Sequence, residues 1–135
     1  MPHTFVIFGA SGDLTSRKLV PALYNLMRPG LLPEETKIIG FSRTKMSDGE
    51  WKASLRESTK QHAGGEPFSQ EAWNTFEPII HYQPGDIEST ADFEKLQQRL
   101  CSLEEGNPTP RVYYLATAPR FYTPAIAALG NLRMA

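Results

Sequence analysis

The apolar positions of this chain change period early. Phe5, Val6, Ile7 and Phe8 form an unbroken run of β-forming residues, the pattern of a strand buried on both faces. Gly9 and Gly12 follow at once, and then Leu19, Leu23 and Leu26 recur at helical spacing. A strand, a glycine turn and a helix over residues 14–27 are expected, with Pro21 kinking or interrupting the helix because it removes a backbone hydrogen bond. The alternation then repeats. Strands are expected at residues 37–42 around Ile38, Ile39 and Phe41, at 78–84 around Ile79, Ile80 and Tyr82, and at 111–117, where Val112, Tyr113, Tyr114 and Leu115 again suit burial on both sides.

Helical signals fill the intervals. Ser47 and Glu50 have the spacing of a capping box and open a helix reaching about His62, with Trp51 and Leu55 inward. Residues 69–76 form a short helical piece carrying Trp73 and Phe76 on one face as core. Ser89 and Asp92 start another, with Phe93, Leu96 and Leu100 on one stripe. A last helix begins at Pro124. Breaks are marked by Pro29, Gly30 and Pro33, by residues 63–67, and by Gly106, Asn107 and Pro108. Four strands alternating with helices imply an α/β domain over residues 1–135: a doubly wound, mostly parallel sheet in the order 3-2-1-4, with its ligand at the C-terminal edge of the strands.

The first turn carries the clearest chemistry. Gly9 can take a backbone conformation closed to residues with a Cβ, Gly12 lets main chain approach a ligand closely, and free N–H groups at the head of the helix sit at the positive end of its dipole. Residues Gly9, Ala10, Ser11, Gly12, Asp13 and Leu14 therefore form a candidate phosphate cradle. The pattern G-x-x-G-D-L matches the dinucleotide fingerprint G-x-G-x-x-G only in part, and Thr15 stands where a third glycine is expected. Two glycines in a turn are also compatible with a purely structural strand-to-helix connection. Asp13 would repel a bound phosphate, so its expected work is capping or orienting the turn.

Composition narrows the function classes. A formal net charge of −1 offers no general attraction for nucleic acid or an anionic membrane surface, so an anion must be held by local groups. No long apolar span is present. Cys101 is the single cysteine, which excludes an internal disulfide, fits a cytoplasmic setting and reads as a packing or surface residue. His62 and His81 lack partners at metal-ligand spacing, so no metal site is expected, and His3 is given no role.

The blocks IFGASGDLTSRKLVPALYNL, GLLP, IIGFSRT and VYYLATAPRFY, in that order, closely resemble the N-terminal, coenzyme-binding part of the glucose-6-phosphate dehydrogenase family. The resemblance implies a Rossmann-type domain and NADP as cofactor, with NAD accepted by some members. The end of the second strand agrees: it offers Ser42, Arg43, Thr44 and Lys45 where an acidic residue would select NAD, and Arg43 can grip a 2′-phosphate and stack on adenine. An exposed loop arginine is the alternative. Asp86 and Ile87, beyond the third strand, border the expected adenine position. The family's L-A-x-P-P segment lies along the coenzyme; here it reads Leu115, Ala116, Thr117, Ala118, Pro119, with Ala118 in place of the first proline. Tyr122 matches an aromatic position near the coenzyme in some relatives, or else simply packs. Lys18 matches the lysine where coenzyme and sugar phosphate meet, while by composition Arg17 and Lys18 read as a solvated basic face.

The implied reaction is hydride transfer from C1 of glucose 6-phosphate to NADP, giving 6-phosphogluconolactone, a step of the pentose phosphate pathway. The family's D-H-Y-L-G-K segment with its catalytic histidine, its E-K-P segment and its large substrate domain do not occur in these 135 residues. A truncated coenzyme-binding domain, inactive alone and with no catalytic residue of its own, is thus expected beside the enzyme reading. Its sheet would be incomplete on the C-terminal side, and the uncovered fourth strand would favour self-association.

Overall fold

All four apolar runs form strands: β1 (Thr4–Phe8), β2 (Lys37–Ser42), β3 (Ile80–Pro84) and β4 (Arg111–Leu115). The computed structural model describes residues 3–31, 35–62, 64, 67–105 and 110–131. The strands are parallel and lie in the order β3-β2-β1-β4, as expected, with Val6 beside Ile39 and Tyr113 in register. Helices α1 (Val20–Met27), α2 (Asp48–His62), α3 (Gln70–Phe76), α4 (Thr90–Leu103) and α5 (Tyr122–Asn131) follow in the intervals.

Alternation along the strands divides the apolar residues between two cores. Ile7, Ile38 and Ile80 meet Val20, Tyr24, Trp51, Leu55, Trp73 and Phe76 on the face covered by α1, α2 and α3. Val6, Phe8, Ile39 and Phe41 meet Phe93, Leu96, Leu100, Ala125 and Leu129 beneath α4 and α5. Covering both faces is what permits continuous apolar strands. Gly40 makes this possible on the first face, since a Cβ there would come within 2.6 Å of the Trp51 ring.

Helix starts follow their side-chain caps. Ser47 and Glu50 exchange hydrogen bonds of 3.1 and 3.0 Å, Ser69 Oγ accepts from the Ala72 amide, and Ser89 Oγ accepts from the Asp92 amide. The effect of Pro21 differs from a simple kink. A π-helical turn at Thr15–Leu19 runs directly into α1, and the Val20 N–H bonds Thr15 O. That shift diverts the N–H that would reach Ser16 O in an α-helix, and Pro21 has none to offer in a π-helix. Ser58 Oγ from α2 supplies the donor instead, at 2.6 Å.

Three boundaries differ from expectation. β3 begins at Ile80 because Pro78 lies in a 3-10 turn, Glu77–Ile79. β4 ends at Leu115, and α5 begins at Tyr122, after a 3-10 turn at Pro119–Phe121. The expectation that β4 is buried on both sides does not hold: exposure alternates, because Tyr113 and Leu115 pack against the core beneath α4 and α5 while Val112 and Tyr114, on the other face, belong to neither core. The expected breaks at Pro33, Ala63, Gly106, Asn107 and Pro108 lie outside the described residues.

The opposite edge is closed by side chains. On β3 the Tyr82 N–H donates to Asp48 Oδ1 at 2.8 Å, and the Tyr82 carbonyl accepts from Arg99, which itself binds Asp48 Oδ2 at 2.8 Å. This charged clip occupies hydrogen-bonding positions that an added strand would need. At the base of the sheet, buried Glu104 binds Arg111 and Thr4, and that contact raises the Arg111 pKa above its ordinary value.

Candidate functional site

The C-terminal ends of β1, β2, β3 and β4 bring four turns around one cleft of about 500 Å³. Its position follows from the winding: helices leave to opposite faces from β1's two sides, and the connections part there.

The first turn is held rigidly from several directions. Gly9 and Ala10 donate to Phe41 O at 3.0 and 3.4 Å, and the Gly12 N–H returns to Gly9 O at 3.0 Å. Trp51 Nε1 donates to Ala10 O at 3.1 Å, pinning the turn to α2. Gly9 has φ +84°, and a Cβ there would fall 2.3 Å from Ala116 O, so both conformation and the approach of β4 require glycine. Gly12 O accepts from the Ser16 N–H at 3.2 Å, which starts the helix there and leaves the amides of Asp13, Leu14 and Thr15 ahead of any intrahelical acceptor. The cap expected from Asp13 is not made: its side chain is exposed and bonds no described residue. Thr15 does that work, its buried hydroxyl donating to Gly9 O at 3.0 Å.

A cluster of hydroxyls links this turn to the end of β2. Ser42 Oγ and Thr44 Oγ1 reach Ser11 Oγ at 3.1 and 3.0 Å, and Tyr82 Oη bonds Ser42 Oγ and Thr44 O at 2.5 Å each. Burial raises the Tyr82 pKa, so the phenol stays a neutral donor. Arg43 stands between Ser42 and Thr44, exposed, without a hydrogen bond or ion pair to a described residue.

Of the residues singled out from sequence, Gly9, Ser11, Gly12, Arg43, Asp86, Ile87, Ala116 and Thr117 line the cleft together. Ala10 is buried behind it. Asp13, Leu14 and Lys18 lie exposed along the helix start, and Pro119 and Tyr122 are exposed outside the lining. Asp86 Oδ1 accepts the Glu88 N–H at 2.9 Å, so this carboxylate is engaged by its own turn. Ser42, Thr44, Gly85 and Phe121 also line the cleft and were missed. Flanking Arg43 was signal enough for the two hydroxyls; nothing local distinguishes Phe121 from Tyr122. Among the described residues, no three His, Cys, Asp or Glu side chains converge as a metal site.

The model of the family described as glucose-6-phosphate dehydrogenase, NAD binding domain, matches residues 6–135. The chain belongs to that family. Glucose-6-phosphate 1-dehydrogenase of Ceratitis capitata is 40% identical over 123 residues, covering 90% of this chain and 23% of the relative. The enzyme of the same name from Treponema pallidum (strain Nichols) is 41% identical over 128 residues, covering 90% and 24%. A solved glucose-6-phosphate dehydrogenase in complex with its substrate glucose-6-phosphate shares the fold with a TM-score of 0.84 at 30% identity, over 96% of this chain and 27% of that one. The chain thus spans about a quarter of the length of these dehydrogenases.

The site suits the family's dinucleotide on its own geometry. Glycine at 9 is enforced, and among the described residues a Cβ on Gly12 would meet only Gly9 O, at 3.3 Å. The Gly9–Gly12 turn, which the free helix-start amides adjoin, and the Arg43 guanidinium, which bonds no described residue, stand at two places around one cleft.

Proposed function

We propose that the chain is the coenzyme-binding part of a glucose-6-phosphate dehydrogenase and that it holds NADP. One observation carries this reading: the Gly9–Gly12 turn and Arg43 line the same cleft, so a dinucleotide pyrophosphate at the turn leaves its ribose beside a guanidinium rather than a carboxylate. Backbone amides at Ser11, Asp13 and Leu14 hold the pyrophosphate. Ser11, Ser42, Thr44 and Arg43 hold the phosphorylated ribose, and Asp86 and Ile87 border the base. Ala116, Thr117, Pro119 and Tyr122 lie toward the nicotinamide, and Lys18 meets the sugar phosphate. When bound, the coenzyme supplies the hydride acceptor for oxidation of glucose 6-phosphate at C1 to the lactone.

None of His3, His62 or His81 lines the cleft. That favours a second reading, in which these 135 residues by themselves bind NADP without catalysis, and the base belongs to a longer polypeptide. We place the protein in the cytoplasm, and the edge of β4, along which no described strand pairs, together with exposed Val112 and Tyr114, supports association between copies.

Equilibrium titration with NADP and NAD tests the binding reading. Arg43→Glu is expected to weaken NADP by about tenfold or more and NAD by less than about twofold, since NADP alone carries the 2′-phosphate. Equal loss of both would overturn the coenzyme assignment. Reduction of NADP on adding glucose 6-phosphate, compared between this chain and a longer one extended downstream, separates the catalytic from the binding-only reading.

A further inference from the structure

Beyond Arg43 a second cleft opens, of about 710 Å³, sharing Arg43, Gly85 and Asp86 with the first. Two more cations line it: Lys45, from the segment after β2, and Lys95, from α4. Both are exposed, and no hydrogen bond or ion pair ties either of them, or Arg43, to a described residue. The acidic residues of the same cleft are engaged by backbone. Glu50 Oε1 accepts the Ser47 N–H at 3.0 Å, Asp92 Oδ2 accepts the Asp86 N–H at 2.9 Å, and Asp86 Oδ1 accepts the Glu88 N–H.

This arrangement matters for a phosphate monoester, which carries roughly −1.5 to −2 charges near neutral pH. One guanidinium offsets only part of that charge, and Asp86 and Asp92 repel it from the same walls. The geometry points to Lys45 and Lys95 as specificity-determining residues that, together with Arg43, seat the 2′-phosphate in this second cleft. The inference rests on the NADP reading and adds to it a cation from α4, an element that the sheet's winding brings beside the end of β2.

The test titrates the chain and its Lys45→Gln, Lys95→Gln and doubly substituted variants with 2′,5′-ADP and 5′-AMP, and with NADP and NAD. Each single variant is expected to bind 2′,5′-ADP and NADP about three- to tenfold more weakly, with a shallower salt dependence, while 5′-AMP and NAD change by less than about twofold. Lys95→Arg is expected to restore binding. Unaltered circular dichroism and thermal midpoints are expected for these exposed positions. If the lysine variants bind 2′,5′-ADP like the parent while Arg43→Gln loses it, Arg43 alone seats the phosphate and the inference is wrong, with the NADP reading intact. Equal loss of NAD and NADP in the lysine variants also overturns it. A parent chain that retains neither NADP nor NAD removes the coenzyme reading itself.

Discussion

The Thr15 hydroxyl donates to the Gly9 carbonyl at 3.0 Å, closing the first turn from the helix side. The same carbonyl accepts the Gly12 N–H, so two donors fix a single oxygen and, with it, the orientation of the amides at the helix head. A glycine in place of Thr15 would allow a closer approach of backbone to ligand but would leave that oxygen with one donor.

Thr15→Val keeps the shape and removes the donor. It is expected to lower unfolding stability by about 1–2 kcal/mol, because the residue is buried and no water replaces the bond. Urea denaturation measures this. Binding of NADP and NAD should weaken together, since the turn serves the shared pyrophosphate; selective loss of NADP would contradict that role.

Gly9 and Gly30 separate conformation from contact. Both have positive φ, +84° and +77°, yet a Cβ at Gly9 would press on Ala116 O at 2.3 Å, whereas one at Gly30 meets no described residue within 4 Å. Gly30→Ala should cost about 1–2 kcal/mol of unfolding free energy, from the left-handed conformation alone. Gly9→Ala should cost roughly 2–5 kcal/mol and abolish coenzyme binding, because the segment leaving β4 must move at Ala116. Comparable costs for both would show that β4 yields freely.

Ser58 and Pro21 should be coupled. Ser58 Oγ satisfies Ser16 O, a carbonyl that Pro21 has no N–H to reach. Ser58→Ala is expected to destabilise by about 1 kcal/mol in the parent and by clearly less in a Pro21→Ala background, where an amide becomes available. A double-mutant cycle of unfolding free energies checks this, and strict additivity would refute it.

His81 makes stability depend on pH. Burial lowers its pKa below 6.5; repulsion from Arg99 and Lys52 acts in the same direction, and Asp48, 3.7 Å away, acts against it. The unfolded chain therefore binds more protons than the folded one between the folded pKa and 6.5. The contribution of His81 is fully present above the unfolded value, falls as pH drops below it, and levels off once folded His81 is protonated. His81→Asn should flatten this part of the profile, as read from urea midpoints between about pH 7 and pH 5.

Much of the site was legible in the chain because its parts are local. Gly9 and Gly12 sit at fixed offsets from a strand end, and Arg43 directly follows the next strand, so both reach the C-terminal edge through the sheet order alone. The Ser47–Glu50 and Ser89 caps were readable for the same reason, as each bond spans three residues. Asp13 misled because an acidic residue at a helix start is a good cap by type, while Thr15, the wrong residue by motif, has the hydroxyl that reaches Gly9 O. Phe121 and Tyr122 are equivalent in pattern; a short 3-10 turn decides which ring faces the cleft.

By itself, then, the sequence determined the elements, their parallel order and the two donor groups of the cleft, since periodicity and turn chemistry act over a few neighbouring residues. Tertiary structure decided which side chains from remote segments complete them: Trp51 on Ala10 O, Ser58 on Ser16 O, Asp48 and Arg99 on the β3 edge, and Lys95 beside Arg43. Those pairings depend on how helices settle against the twisted sheet to fill two cores, a condition on the whole molecule that no short window of residues contains.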